Sequence, residues 1–157
     1  MRRFILIISL ILCIKCSYGQ NYFDTDGLNN TNNIYLFTLR EYCKSIDSTT
    51  TSVVYVRNDN FIGENWPRRI RCFTIVYLKN ESDYLEAIRT SNGHIIVLGI
   101  SPFEFKSGEF FCSIIPFFTT YNNNILNLSN NGALVIYFGY NNPKKRLYFK
   151  NKKWIGI

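Results

Sequence analysis

The chain has 157 residues, of which 18 are Lys or Arg and 11 Asp or Glu, for a formal net charge of +7, and 17% are aromatic. So apolar and aromatic a composition excludes intrinsic disorder and suits a single domain with a buried core. A lone histidine, His94, argues against zinc chemistry and against catalysis by paired imidazoles.

Residues 1–19 read as a cleaved export signal: Arg2 and Arg3 precede an apolar run from Phe4 to Ile14, and Ser17 and Gly19 supply the small residues of a cleavage site before Gln20. The apolar run is too short to cross a bilayer, so no stable membrane anchor is expected. Cleavage removes Arg2, Arg3 and Lys15 and leaves a charge of +4, a modest excess that disfavours a nucleic-acid partner. Residues 20–33 form a polar leader, and 34–157 a single folded domain.

The expected elements are short strands. Ile34–Leu39 and Val53–Arg57 are apolar runs, and Arg71–Leu78 alternates Phe73, Ile75 and Tyr77 on one face with Cys72, Thr74 and Val76 on the other. Ser82–Thr90 supports two readings. Asp83 and Glu86 have capping-box spacing for a helix, whereas Asn92-Gly93 is a preferred hairpin centre and favours a strand returning through Ile95–Leu98. Further on, Ser107-Gly108 turns Phe103–Lys106 into Phe110–Ile115 and places Lys106 near Glu109. Asn130, Asn131 and Gly132 join Ile125–Leu128 to Ala133–Phe138. Tyr140–Pro143 turns into Arg146–Lys150, and a last turn at Asn151-Lys152 leads to Trp154, Ile155 and Ile157.

The fold class is therefore all-β, an antiparallel meander or sandwich of short hairpin-connected strands. Its expected core is Phe73, Ile75, Tyr77, Ile96, Leu98, Ile114, Leu134, Ile136, Leu147 and Phe149. Cys43, Cys72 and Cys112 survive cleavage; their odd number leaves at least one thiol unpaired within the chain, and Cys72 and Cys112 lie in apolar strand-like runs.

Tyr77–Val97, with its aromatic strand, turn, Tyr84-to-Ile88 apolar spacing and Asn92-Gly93, resembles the middle of the FAINT domain of exported piroplasm proteins. Leu126–Gly132 followed by Leu147–Ile157, with Phe149 and a lysine-flanked Trp154, is similar to the closing pattern of that family. Val97 stands where the family often has tryptophan, and Tyr140–Lys145 lengthens the penultimate turn. The resemblance implies a protein exported by an intracellular parasite toward its host, with no established enzymatic activity and no catalytic residues to transfer.

Candidate partner-binding residues are Arg68, Arg69 and Arg71 beside Trp66, and Lys144, Lys145 and Arg146 with Trp154, because cations interleaved with aromatics are enriched at interfaces. No acidic residue follows Glu109, so the C-terminal edge is basic and suited to a protein or anionic partner, although lysines on a sheet edge also serve simply to prevent aggregation. Pro143–Arg146 also resembles a short nuclear-import signal. Asn29, Asn80 and Asn127 head glycosylation sequons.

The expected function is a secreted, non-enzymatic binding or host-interaction module without cofactor or metal. One alternative is a secreted β-barrel carrier of a small apolar ligand. Another is a secreted hydrolase with a site around Glu104, Glu109 or His94, the two glutamates facing each other across the Ser107-Gly108 hairpin as a carboxylate pair.

Overall fold

The computed structural model describes residues 22–23, 33–59, 62–63, 65–130 and 132–156. The export signal, most of the leader, Asn29 and Ile157 lie outside the described residues. The elements are β1 (Tyr22–Phe23), α1 (Ile34–Ser45), β2 (Val53–Arg57), β3 (Arg69–Ile70), β4 (Phe73–Leu78), α2 (Glu81–Thr90), β5 (His94–Ile100), β6 (Glu104–Lys106), β7 (Glu109–Asn122), β8 (Ile125–Asn130), β9 (Gly132–Asn141) and β10 (Arg146–Gly156).

The strands form one sheet in the order β1-β10-β9-β7-β5-β2-β4-β3, with β6 and β8 added along β7. The mostly β expectation holds, but the sheet is mixed: β2 runs parallel to both β4 and β5, while the other pairs are antiparallel. Parallel neighbours need a crossover, and α2 supplies one between β4 and β5.

Two segments read as strands are helical. Ile34–Leu39 is the first half of α1, because the Asn33 side chain accepts the Leu36 N–H at 2.6 Å and caps the helix. Ser82–Thr90 lies in α2, where Asn80 and Asp83 form the capping box, three residues earlier than the Asp83 and Glu86 pairing expected from sequence. Asn92-Gly93 consequently closes a helix rather than a hairpin: the Gly93 N–H bonds the Ile88 carbonyl at 3.0 Å, with both residues at positive φ.

Each helix covers one face of the sheet, as strand alternation requires. On β5, Leu98 and Ile100 join the larger core with α1, whereas Ile95 and Val97 join the smaller one with Tyr84, Ala87 and Ile88 of α2. Eight of the ten expected core residues are buried. Phe149 is only partly covered, and Ile96 is 45% exposed.

β7 organises the centre. Its Ser107-Gly108 hairpin with β6 is as expected, but the next reversal is at Asn123-Asn124, both at positive φ, instead of Asn130–Gly132. β8 and β9 instead lie along the same edge of β7, with a break in the ladder where the pairing passes from Phe117 with Asn130 to Ile114 with Leu134. Pro116, which has no N–H to contribute to a ladder, sits on β7 at this break. The expected turn at Asn151-Lys152 is likewise absent; β10 continues to Gly156 with only a bulge between Phe149 and Asn151.

Candidate functional site

The basic residues singled out from sequence do not converge. Arg68, Arg69 and Arg71 belong to the β3–β4 hairpin at one edge of the sheet, with the Arg68 guanidinium 5.4 Å from the Tyr77 ring centre. Trp66 is buried edge-on against Tyr77, so it is part of the core rather than an interface aromatic. Lys144 and Lys145 form the β9–β10 turn and Arg146 begins β10, whereas Trp154 lies near the far end of that strand, opposite Leu134. Four strands, β7, β5, β2 and β4, separate the β9–β10 hairpin from β3.

Part of the basic tail is engaged within the molecule. Lys150 pairs with Glu109 at 2.8 Å, and Lys152 pairs with Glu41 at 3.0 Å. Burial acts to raise the Glu41 carboxyl, but hydrogen bonds from Lys44 and Lys152 outweigh it and hold the carboxyl below its ordinary value.

The hydrolase residues do not form one site. His94 faces Thr120 at one end of β7, whereas Glu104 and Glu109 share the β6–β7 hairpin at the other, where Glu109 faces Lys106 and pairs with Lys150. Among the described residues the carrier interior has no counterpart, since the sheet path runs from β1 to β3 without closing. Cys43 and Cys112 are buried and Cys72 is exposed in the β3–β4 turn, outside the apolar strand expected to hold it; all three are free. Asn80 and Asn127 are both exposed. Asn80 uses its carbonyl oxygen to cap α2, and Asn127 donates from its amide to the Ile125 carbonyl at 3.1 Å. Among the described residues no group of three His, Cys, Asp or Glu could hold a metal, and no helix is long and apolar enough to cross a membrane.

The structure brings together a different set. Ile96 of β5, Phe118 of β7 and Trp154 of β10 are 45%, 46% and 47% exposed. With Pro116, Ser129 and Gly132 they line a cavity of about 370 Å³ on the α1 face of the sheet. At Ile96 it meets a second cavity of about 280 Å³, bounded by Tyr42, Ile46, Val54 and Leu98.

The length of α1 explains the opening. Twelve residues make about 18 Å of helix, and its last turn reaches Trp154, whose ring lies 6.0 Å from that of Tyr42. Beyond this contact no helix among the described residues covers the sheet. Burial pushes the Tyr42 hydroxyl up to about 12, with a smaller contribution from Cys43, so Tyr42 is neutral at physiological pH. The His94 ring lies against Phe118 at 5.1 Å and extends the aromatic shelf. Asp47, at the rim of the second cavity, accepts the Thr49 N–H and hydroxyl, which lower its pKa.

Of the candidate site residues selected from sequence, Trp154 lines this shelf and His94 extends it. Ile96 was assigned to the core and Phe118 was not singled out. The available signal was the pair Asn123-Asn124, which suits a two-residue hairpin and would have put Phe118 in a strand paired on both sides. Comparison with family models, with curated proteins and with solved structures finds no match for this chain.

Proposed function

We propose that the chain is a non-enzymatic binding module that docks its partner on the shelf formed by Ile96, Phe118 and Trp154. One observation carries this reading: three large apolar side chains from three strands stand half exposed around a single cavity. Soluble proteins tolerate scattered exposed hydrophobics, but a contiguous apolar surface with a polar rim is characteristic of an interaction site. The separation of His94 from Glu104 and Glu109, and the Lys150 ammonium beside Glu109, favour binding over hydrolysis, and an open sheet gives no support to a barrel carrier.

The basic C-terminal edge then acts as an electrostatic surround rather than as the contact itself, with Lys150 and Lys152 already facing carboxylates of the same molecule. Export is supported by the pattern of residues 1–19. The likeness of Tyr77–Val97, Leu126–Gly132 and Leu147–Ile157 to FAINT sequences adds a host cell as the destination.

A photoreactive phenylalanine analogue at position 118 tests the docking site in cells that make the protein or receive it. A discrete adduct is expected from position 118 and none from position 105, where Phe105 is equally apolar and 63% exposed but lies on the distant β6–β7 hairpin. Adducts from both positions, or from neither, reject the shelf as a specific site.

A further inference from the structure

Of the open strand edges among the described residues, those of β3, β6 and β10 carry charge: Arg69 on the first, Glu104 and Lys106 on the second, and Lys150, Lys152 and Lys153 on the third. Charged residues on an edge strand discourage further strand pairing. β8 offers six residues with no charge and no proline, and it pairs only with β7. β10 covers β9 as far as the Gly156–Gly132 pair, and no described strand pairs with the outer edge of β8.

The hairpin fixes which groups face outward. Asn123 and Asn124 form a two-residue turn closed by Asn122 and Ile125. Such a closing pair exchanges hydrogen bonds, and bonding alternates along the ladder. Asn127 and Ser129 therefore bond β7, while the backbone N–H and C=O groups of Leu126, Leu128 and Asn130 point away from it.

Both flanks of this edge are apolar. Leu128 is 41% exposed on the α2 side; on the other, Ser129 borders the cavity of Phe118 and Trp154. No acidic side chain follows Glu109; β8 and β9 carry no charge, and the charges on β10 are all cations. A second copy fits poorly, because it carries the same positive charge and a six-residue strand pair falls well short of the roughly 1,600 Å² of a standard interface.

We propose that β8 accepts an extended segment of an acidic partner protein as an added strand, with one apolar side chain of that segment seated between Phe118 and Trp154. This rests on the docking role given to the shelf and names the occupant: a peptide with alternating apolar residues and acidic flanks. Backbone hydrogen bonds to Leu126, Leu128 and Asn130 supply affinity, and the cavity beside Ser129 selects the side chain.

The test begins with selection of a displayed library of random ten-residue peptides on the folded chain. Enriched peptides are then measured against the wild type, Leu128→Pro and Phe118→Ser, alongside versions N-methylated at alternate residues. Leu128→Pro removes an N–H that bonds nothing within the sheet, so the edge strand is expected to tolerate it. The expected result is enrichment of alternating apolar sequences with acidic flanks, protection of the three outward amides from hydrogen exchange, and binding weakened about tenfold or more by Leu128→Pro and by N-methylation.

Binding lost in Phe118→Ser but indifferent to Leu128→Pro and to N-methylation overturns strand addition while sparing the shelf. The opposite pattern overturns the shelf while sparing the edge. Failure to enrich any peptide, or a concentration-dependent dimer abolished by Leu128→Pro, overturns the proposal. Should Leu128→Pro not fold, the N-methylated peptides decide alone.

Discussion

Lys152 on β10 places its Nζ 3.0 Å from Oε2 of Glu41 and 3.3 Å from the Glu41 backbone carbonyl on α1, joining the last strand to the first helix. The Glu41 side chain is 7% exposed, and Lys44 holds its other oxygen. A buried carboxylate with two ammonium partners is stable as a group, yet each member depends on the others.

A pH dependence follows. The folded pKa of Glu41 lies below its ordinary 4.5, so this stabilisation is fully present above 4.5 and is lost as pH falls through the folded value. Glu41→Gln is expected to cost about 1–3 kcal/mol at neutral pH. The gap in Tm between the variant and the wild type should narrow as pH falls from 5 toward 3. An unchanging gap in thermal unfolding across that range would show that Glu41 is not held by these partners.

The start of α2 gives a second prediction. The Asn80 side chain accepts the Asp83 N–H, and the Asp83 carboxylate accepts the N–H groups of Asn80 and Lys79. Asn80→Ala and Asp83→Ala should each lose about 1 kcal/mol, and the double variant should lose less than their sum because the two caps act as one unit. Additive losses in denaturant unfolding, or none, would contradict the reciprocal cap.

These helices mark the limit of what the sequence conveys. The alternation along β4, β9 and the start of β10 was legible, and so was the core they build, because strand periodicity is written in consecutive side chains. The apolar run Ile34–Leu39 does not distinguish strand from helix; Asn33 was the deciding residue, and a single cap is a small signal. Asn92-Gly93 is ambiguous for a physical reason: positive φ serves a hairpin turn and a helix C-terminus equally. The parallel pairing of β2 with β4 and β5 is a non-local choice that no local pattern encodes. Ile96 shows the same limit at the candidate site. Its parity with Leu98 was read correctly, but whether that face is covered depends on where α1 stops.

Cysteine reactivity offers a third prediction. Burial pushes the thiols of Cys43 and Cys112 up to about 12, with Cys72 adding to the rise at Cys43, while hydrogen bonds to Thr38 and Ser101 only partly offset it at Cys112. Both are therefore protonated and shielded at pH 8, whereas Cys72 is exposed. In protein beginning at Gln20, a colorimetric thiol reagent should titrate one cysteine rapidly in the native state and three in denaturant. Cys72→Ser should remove the rapid phase. Two rapid equivalents would place Cys43 or Cys112 at the surface and contradict the packing of α1.

The last prediction concerns Gly132, the first residue of β9, beside the shelf. Gly132 has φ +135°, and a Cβ there would stand 2.4 Å from the Ile155 carbonyl oxygen and 2.7 Å from the Gly156 Cα. Those neighbours are backbone atoms of β10 paired in the ladder, so they cannot swing aside as a side chain tip would. Gly132→Ala is expected to cost about 2 kcal/mol or more, combining backbone strain with a displaced strand. Gly93 and Gly108, also at positive φ, have nothing within 4 Å of an added Cβ, and alanine there should cost only the conformational strain. Equilibrium unfolding of the three variants orders them: Gly132→Ala clearly the least stable supports β10 pressed against Gly132, and equal losses would mean that the strand lies further away.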